Sequence, residues 1–211
     1  TIHTGSVSHI HFDSIVFGDG ILEINPEGTK IAVFGKRGLQ LIDITEDQTH
    51  TTDTQVLTDR YPGSLHFSED GNHVTYTSYK YRSTVDIRRY DITSDNEEAL
   101  SHTINLTNAY QYNILPVICS KFGQFCLFNE KEQLFLFNTE TRKNVWIKPQ
   151  ESGLLLPIAL ADDGSAAVVS KEDDWLVKSL PSGETLYSIT KGMADHALFC
   201  DDNRLLVLVD T

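Results

Sequence analysis

One turn returns five times along this chain. "LEINPEGTKIAVFG" holds Gly28, "LHFSEDGNHVTYTS" holds Gly71, "VICSKFGQFCLFN" holds Gly123 and "IALADDGSAAVVS" holds Gly164. "LFCDDNRLLVLVD" puts Asn203 where the glycine stood. The steps between these residues are 43, 52, 41 and 39 positions. A period near forty residues held over five copies marks a repeat architecture rather than isolated hairpins. The residue types return for a physical reason. A tight hairpin needs positive φ, which Gly supplies without steric cost and Asn tolerates. The acidic or polar residue before it can bond the turn's own amides.

Each hairpin is followed by a third apolar strand, at 38–45, 84–93, 132–140 and 174–184, ending in a polar turn. A fourth, shorter strand reads at 54–59, 102–107, 144–148 and 185–190. Four antiparallel strands per forty-residue period describe a propeller blade, and no segment carries a 3.6-residue apolar stripe long enough for a helix. The sequence therefore predicts an all-β chain. It is a single β-propeller or propeller segment over 1–211, with about five four-stranded antiparallel blades starting near 21, 64, 114, 155 and 197. A β-sandwich would explain many short strands but not the same turn in the same place. Two ring readings stand: five blades closed by the strand around "HIHFDSIVFGD", or part of a larger ring. The second is favoured, because the fifth unit holds two strands and the chain opens without Met, as a segment of a longer protein would.

The units resemble WD repeats, whose strand, Ser-Pro-Asp-Gly turn, strand and apolar strand end in Trp-Asp. Here that place is held by Ile42-Asp43, Tyr90-Asp91, Phe137-Asn138 and Ser179-Leu180, and no unit carries Trp-Asp itself. The second unit, "FSEDGNHVTYTSYKYRSTVDIRRYDI", is equally similar to TolB-type propeller repeats, which accompany some peptidases.

Charge narrows the partners. With 30 Asp and Glu against 17 Lys and Arg, the net charge is −13. Such a surface repels a phosphate backbone and an anionic bilayer, and complements a basic protein. No apolar run reaches the length of a membrane span, and no secretory signal opens the chain. Three cysteines make no disulfide framework. Cys119 and Cys126 flank "SKFGQF" and are expected to face each other as reduced thiols in a cytoplasmic protein.

Chemistry is sparse. His9, His11 and Asp13 alternate and would share one face of a strand, but the pattern fits an exposed edge better than a metal site. "GKRG" and "FGDG" lack the helix that a phosphate loop requires, and no Gly-x-Ser-x-Gly occurs. The acidic pairs at 162–163 and 201–202 lie in turns, where Asp is favoured anyway. No cofactor, metal or catalytic residue is assigned. The expected function is a non-catalytic protein-interaction scaffold or sensor within a larger protein or complex. The alternative is a propeller that accompanies or gates a peptidase-type hydrolase outside this chain. The second unit is the longest, and insertions in repeats map to loops on one face. Tyr79, Tyr81, Arg82, Tyr110 and Tyr112 concentrate there, as side chains of the kind that carry interface energy. They are the candidate partner-binding residues.

Overall fold

The computed structural model describes residues 20–35, 38–44, 49–53, 60–80, 84–101, 103–105, 117–130, 133–148, 155–171, 174–180, 182–190, 196–200 and 204–208. Among them there is no helix; the strands form five antiparallel sheets in chain order. The first sheet comprises β1 (Ile21–Ile24), β2 (Lys30–Gly35), β3 (Gly38–Ile44) and β4 (Thr49–Asp53). The second comprises β5 (Arg60–Phe67), β6 (His73–Lys80), β7 (Thr84–Asp91) and β8 (Asn96–Ala99), with β9 (Ile104–Asn105) also paired to β7. The third comprises β10 (Val117–Cys119), β11 (Phe125–Glu130), β12 (Gln133–Asn138) and β13 (Lys143–Lys148). The fourth comprises β14 (Leu156–Leu160), β15 (Ala166–Lys171), β16 (Asp174–Ser179) and β17 (Thr185–Thr190). The fifth pairs β18 (His196–Phe199) with β19 (Leu205–Leu208).

The repeated turn closes the first hairpin of each of the first four sheets with the same bonds. The amides of Gly28, Gly71, Gly123 and Gly164 donate to the carbonyls of Asn25, Ser68, Ser120 and Ala161 at 2.8–3.0 Å. All four glycines lie in the left-handed region, with φ of 65–71°. A further bond ties the third strand to the turn, from the amides of Ile44, Ile92, Thr139 and Leu180 to the carbonyls of Thr29, Asn72, Gln124 and Ser165. The fifth hairpin is one residue shorter, with the Cys200 amide donating to the Arg204 carbonyl at 2.8 Å.

Successive sheets pack face to face, so inner sheets are buried on both sides. Ala32, Phe34, Leu39 and Leu41 of the first sheet cluster with Leu65, Phe67, Val74, Tyr76 and Tyr90 of the second. The other face of the second sheet, through Val85 and Ile87, meets Val117, Cys126, Phe128 and Phe137 of the third. Leu127, Leu134 and Leu136 then meet Leu160, Ala167 and Val169 of the fourth. Val168, Trp175 and Val177 meet Ala197 and Phe199 of the fifth. The first strands of consecutive sheets neighbour one another throughout: β1 with β5, β5 with β10, β10 with β14 and β14 with β18.

Several sequence expectations need correcting. The fourth strand of the first sheet is Thr49–Asp53, paired with β3 from Ile44↔Thr49 onward, and the expected 54–59 lies outside the described residues. In the second sheet it is split. β8 follows the turn at Asp95 (φ 53°), and Ile104–Asn105 rejoins β7 further along at Val85 and Thr84. In the fourth unit the register position of Ile42, Tyr90 and Phe137 falls to Lys178, one before the Ser179 aligned with them from the sequence. Ala167 pairs with Lys178, as Val74 pairs with Tyr90 and Cys126 with Phe137. Cys119 and Cys126 do pair directly, but as a disulfide rather than as two thiols. Their turn closes without a bulge, and their Cα atoms stand 4.1 Å apart, so the side chains converge.

The turn glycines also touch the neighbouring sheet. A Cβ added at Gly123 would lie 2.8 Å from Thr75 Cβ, and one at Gly164 would lie 3.1 Å from the Phe125 ring. At Gly28 it would meet nothing within 4 Å. Gly28→Ala should therefore cost only the left-handed backbone penalty, about 1–2 kcal/mol. Gly123→Ala should add about 1–3 kcal/mol of overpacking. Urea unfolding of the two variants measures the difference, and equal losses would show that the third turn is not seated on the second sheet.

Candidate functional site

The hairpin turns lie along one side of the stack and contact one another from sheet to sheet. The Lys121 amide donates to Asp162 Oδ1 at 2.9 Å, joining the third turn to the fourth, and Gly71 sits over the Glu27 carboxylate. These turns carry Glu27, Glu69, Asp70, Asp162 and Asp163. Asp70 is fixed as an anion. The Ser68 hydroxyl, at 2.6 Å, and the Asn72 amide, at 3.1 Å, hold its carboxyl down at about 2.

Between the second and third sheets the turn side opens into a cavity of about 440 Å³. Ser68, Glu69, Asp70 and His73 line it from the second turn, Phe122 and Gln124 from the third, and Glu140 from the turn after β12. Arg89 and Thr139 also line it, and Arg89 Nη2 donates to Thr139 Oγ1 at 3.3 Å. Arg89's cross-strand neighbour Glu98 accepts Arg142 Nη2 at 2.6 Å, so that carboxylate is engaged elsewhere. Gln124 Nε2 donates to Glu140 Oε2 at 3.3 Å. The cavity therefore presents three carboxylates, from Glu69, Asp70 and Glu140, around one guanidinium.

Beside it lies a titratable pair on adjoining first strands. His66 Nδ1 stands 3.5 Å from Glu23 Oε2, and Glu23 Oε1 accepts the Phe67 amide at 3.3 Å. His66 also bonds the Lys121 backbone, so one imidazole touches three sheets. Burial dominates both groups. It pushes the Glu23 carboxyl up to about 7 against the Phe67 bond, and the His66 imidazole down to about 4 against the Lys121 bond.

Of the sequence candidates, Tyr79 is the one among the described residues, and it does not line this cavity. Tyr79 is half-buried and packs in the cluster between the second and third sheets, with its ring against Gly63, where a Cβ would come within 2.0 Å of it. Burial raises its hydroxyl above the ordinary tyrosine value. Tyr81, Arg82, Tyr110 and Tyr112 lie outside the described residues, as do His9, His11 and Asp13. Among the described residues no group of three or more His, Cys, Asp or Glu side chains is placed to hold a metal, and no helix is long and apolar enough to cross a membrane.

The Glu23–His66 pair has a pH signature. Glu23 keeps its proton on folding up to about pH 7, whereas an unfolded glutamate loses it near 4.5, so Glu23 alone makes stability fall as pH rises between them. His66 stays neutral on folding down to about pH 4, whereas an unfolded histidine binds a proton below 6.5, so His66 alone makes stability rise over that window. In the wild-type protein the two slopes oppose. Glu23→Gln should unmask a rise in stability from about pH 4 to 6.5, and His66→Gln a fall from about 4.5 to 7, each on the order of 1–3 kcal/mol. Urea midpoints across pH measure this; variants that track the wild type would remove the pair from the account. No protein-family model matches the chain, and no curated protein matches it.

Proposed function

We propose that this chain is part of a β-propeller that serves as a non-catalytic protein-interaction scaffold, holding a basic segment of a partner against its turn face. The propeller reading is supported by the ordered stack: like sheets follow one another, their first strands adjoin, and four apolar clusters each span two consecutive sheets. A WD-type relation is supported by the recurrence of Ile42-Asp43, Tyr90-Asp91 and Phe137-Asn138 at one register position, opposite Ile31, Val74 and Cys126.

The observation that carries the binding reading is the cavity between the second and third sheets. Its rim is acidic within a chain of net charge −13, and Asp70 stays ionised at any physiological pH. A lysine or arginine side chain entering there meets Glu69 and Asp70 while its stem lies against Phe122, an amphipathic fit. Loops on such scaffolds carry binding while the sheets fix their positions. The reading takes the partners to be proteins, without nucleic acid or membrane.

A fluorescent peptide of alternating lysine and serine is a direct probe. The wild-type protein should bind it, with affinity falling as NaCl rises from 50 to 300 mM. Glu69→Gln with Glu140→Gln should weaken binding at least threefold while leaving the melting temperature within a few degrees. Absence of wild-type binding at 50 mM, or a double variant that binds as well, would contradict the assignment.

A further inference from the structure

The cavity between the second and third sheets is lined by a cation that has no acidic partner among the described residues. β7 carries two arginines in succession, Arg88 and Arg89, so they point to opposite faces of the second sheet. The neighbouring strand β8 carries Glu97 and Glu98. Arg88 takes the first, its Nη1 donating to Glu97 Oε1 at 2.8 Å. Glu98 stands across the ladder from Arg89, but both of its carboxylate oxygens accept Arg142 Nη2 at 2.6 Å. Arg89 is left with one bond, from Nη2 to Thr139 Oγ1 at 3.3 Å, and its Nε is buried without an acceptor. A guanidinium offers five donors in a planar fork, so most of this one is unspent.

The fork is nevertheless held. Thr139 is fully buried, and its hydroxyl donates to the Gly123 carbonyl at 2.8 Å, so the oxygen that steadies Arg89 is itself tied to the third turn. The carboxylates that share the cavity do not pair with Arg89. Asp70 is engaged by Ser68 and Asn72, and Glu140 accepts Gln124. Both signs of charge are therefore available in one cavity. A ligand with a carboxylate alone would meet one guanidinium among Glu69, Asp70 and Glu140. A ligand with an ammonium alone would leave Arg89 unpaired beside a second positive charge. A ligand that carries both groups side by side satisfies both.

We infer that Arg89 is a carboxylate subsite, and that the cavity takes a basic residue with a carboxylate next to it. Planar guanidinium forks bind carboxylates through two parallel hydrogen bonds, which gives the contact direction as well as charge. A lysine or arginine at a chain end, with its own α-carboxylate, has this chemistry, and so does a lysine followed by aspartate within a chain. The volume of about 440 Å³ lies toward the lower end of the range for ligand clefts, about 300–1,000 Å³, which suits about one or two residues. The inference rests on the reading of this cavity as a site for a basic side chain, and adds the second charge that the occupant must carry.

Three fluorescent peptides of equal length test it: lysine-serine ending in an amide, the same ending in a free carboxylate, and an amidated one with Lys-Asp inside. Their affinities would be measured by anisotropy in about 50 mM NaCl. Attraction by net charge alone predicts that the plain amide, the most cationic of the three, binds tightest to a chain of net charge −13. The inference predicts the reverse order, with one or both carboxylate-bearing peptides about fivefold or more tighter, and which of them gains identifies the source of the carboxylate. Arg89→Gln should restore the charge order and tighten the plain amide, because it removes a cation from beside the lysine. Arg89→Lys keeps the charge without the fork and should lose most of the preference. If the variants unfold, the wild-type order decides alone. A plain amide that binds as tightly as the others, or a preference that survives Arg89→Gln, would overturn the carboxylate subsite and leave the basic-residue reading standing. Binding of a carboxylate-bearing peptide without binding of the amide would uphold the subsite and show that a basic side chain alone is not enough. Binding of none would overturn both.

Discussion

The structure depends on a glycine that must satisfy two demands at once. The turn between the first two strands requires φ near +65 to +71°, which a side chain resists. At Gly71, Gly123 and Gly164 the same residue is pressed against the sheet before it, within 2.7–3.1 Å of where a Cβ would sit. Turn chemistry alone would admit Asn or Asp at a small cost. Close approach to the neighbouring sheet opposes them most at Gly123, where a side chain would meet Thr75 Cβ, and least at Gly71, where it would meet the movable end of Glu27. One residue thus serves both the local turn and the stacking of sheets.

Stacking then explains the composition of the strands. A sheet with one wet face alternates apolar and polar residues, whereas a sheet covered on both faces reads as a continuous apolar run. Ile31–Phe34, Cys126–Phe128 and Ala167–Val169 are such runs, and all lie on second strands, deep within their sheets. Two polar side chains that enter this interior are partnered, since Thr139 Oγ1 donates to the Gly123 carbonyl at 2.8 Å and Lys178 Nζ donates to Thr185 Oγ1 at 3.1 Å, whereas the buried Trp175 Nε1 makes no hydrogen bond. Carboxylates collect on the turn side, where the chain reverses.

The hairpins and their register were legible because positive-φ residues announce themselves; the pairing of Cys119 with Cys126 followed from counting across one turn. The fourth strands were less so. "THTTD" offers no apolar pattern, and the split fourth strand of the second sheet depends on how far the chain runs along β7 before pairing again. Lys178 hid the equivalence of the fourth unit, since a charged residue stands where the others place Ile42, Tyr90 and Phe137. The cavity was invisible in the sequence because its walls come from two repeats: Asp70 and Phe122 are about fifty residues apart and meet only when sheets stack. Tyr79 was singled out for a surface role by its neighbours Lys80 and Tyr81, yet alternation turns its ring inward onto Gly63.

The coupling between the turn at Gly164 and the third sheet tests this account most directly. Unfolding free energies would be measured for Gly164→Ala, Phe125→Ala and the double variant. If the turn is seated on the Phe125 ring, alanine at 164 costs less once that ring is gone, and the cycle returns a coupling of about 1 kcal/mol or more. A coupling indistinguishable from zero would mean that the glycine serves its own turn alone, and that something other than turn seating sets the distance between sheets.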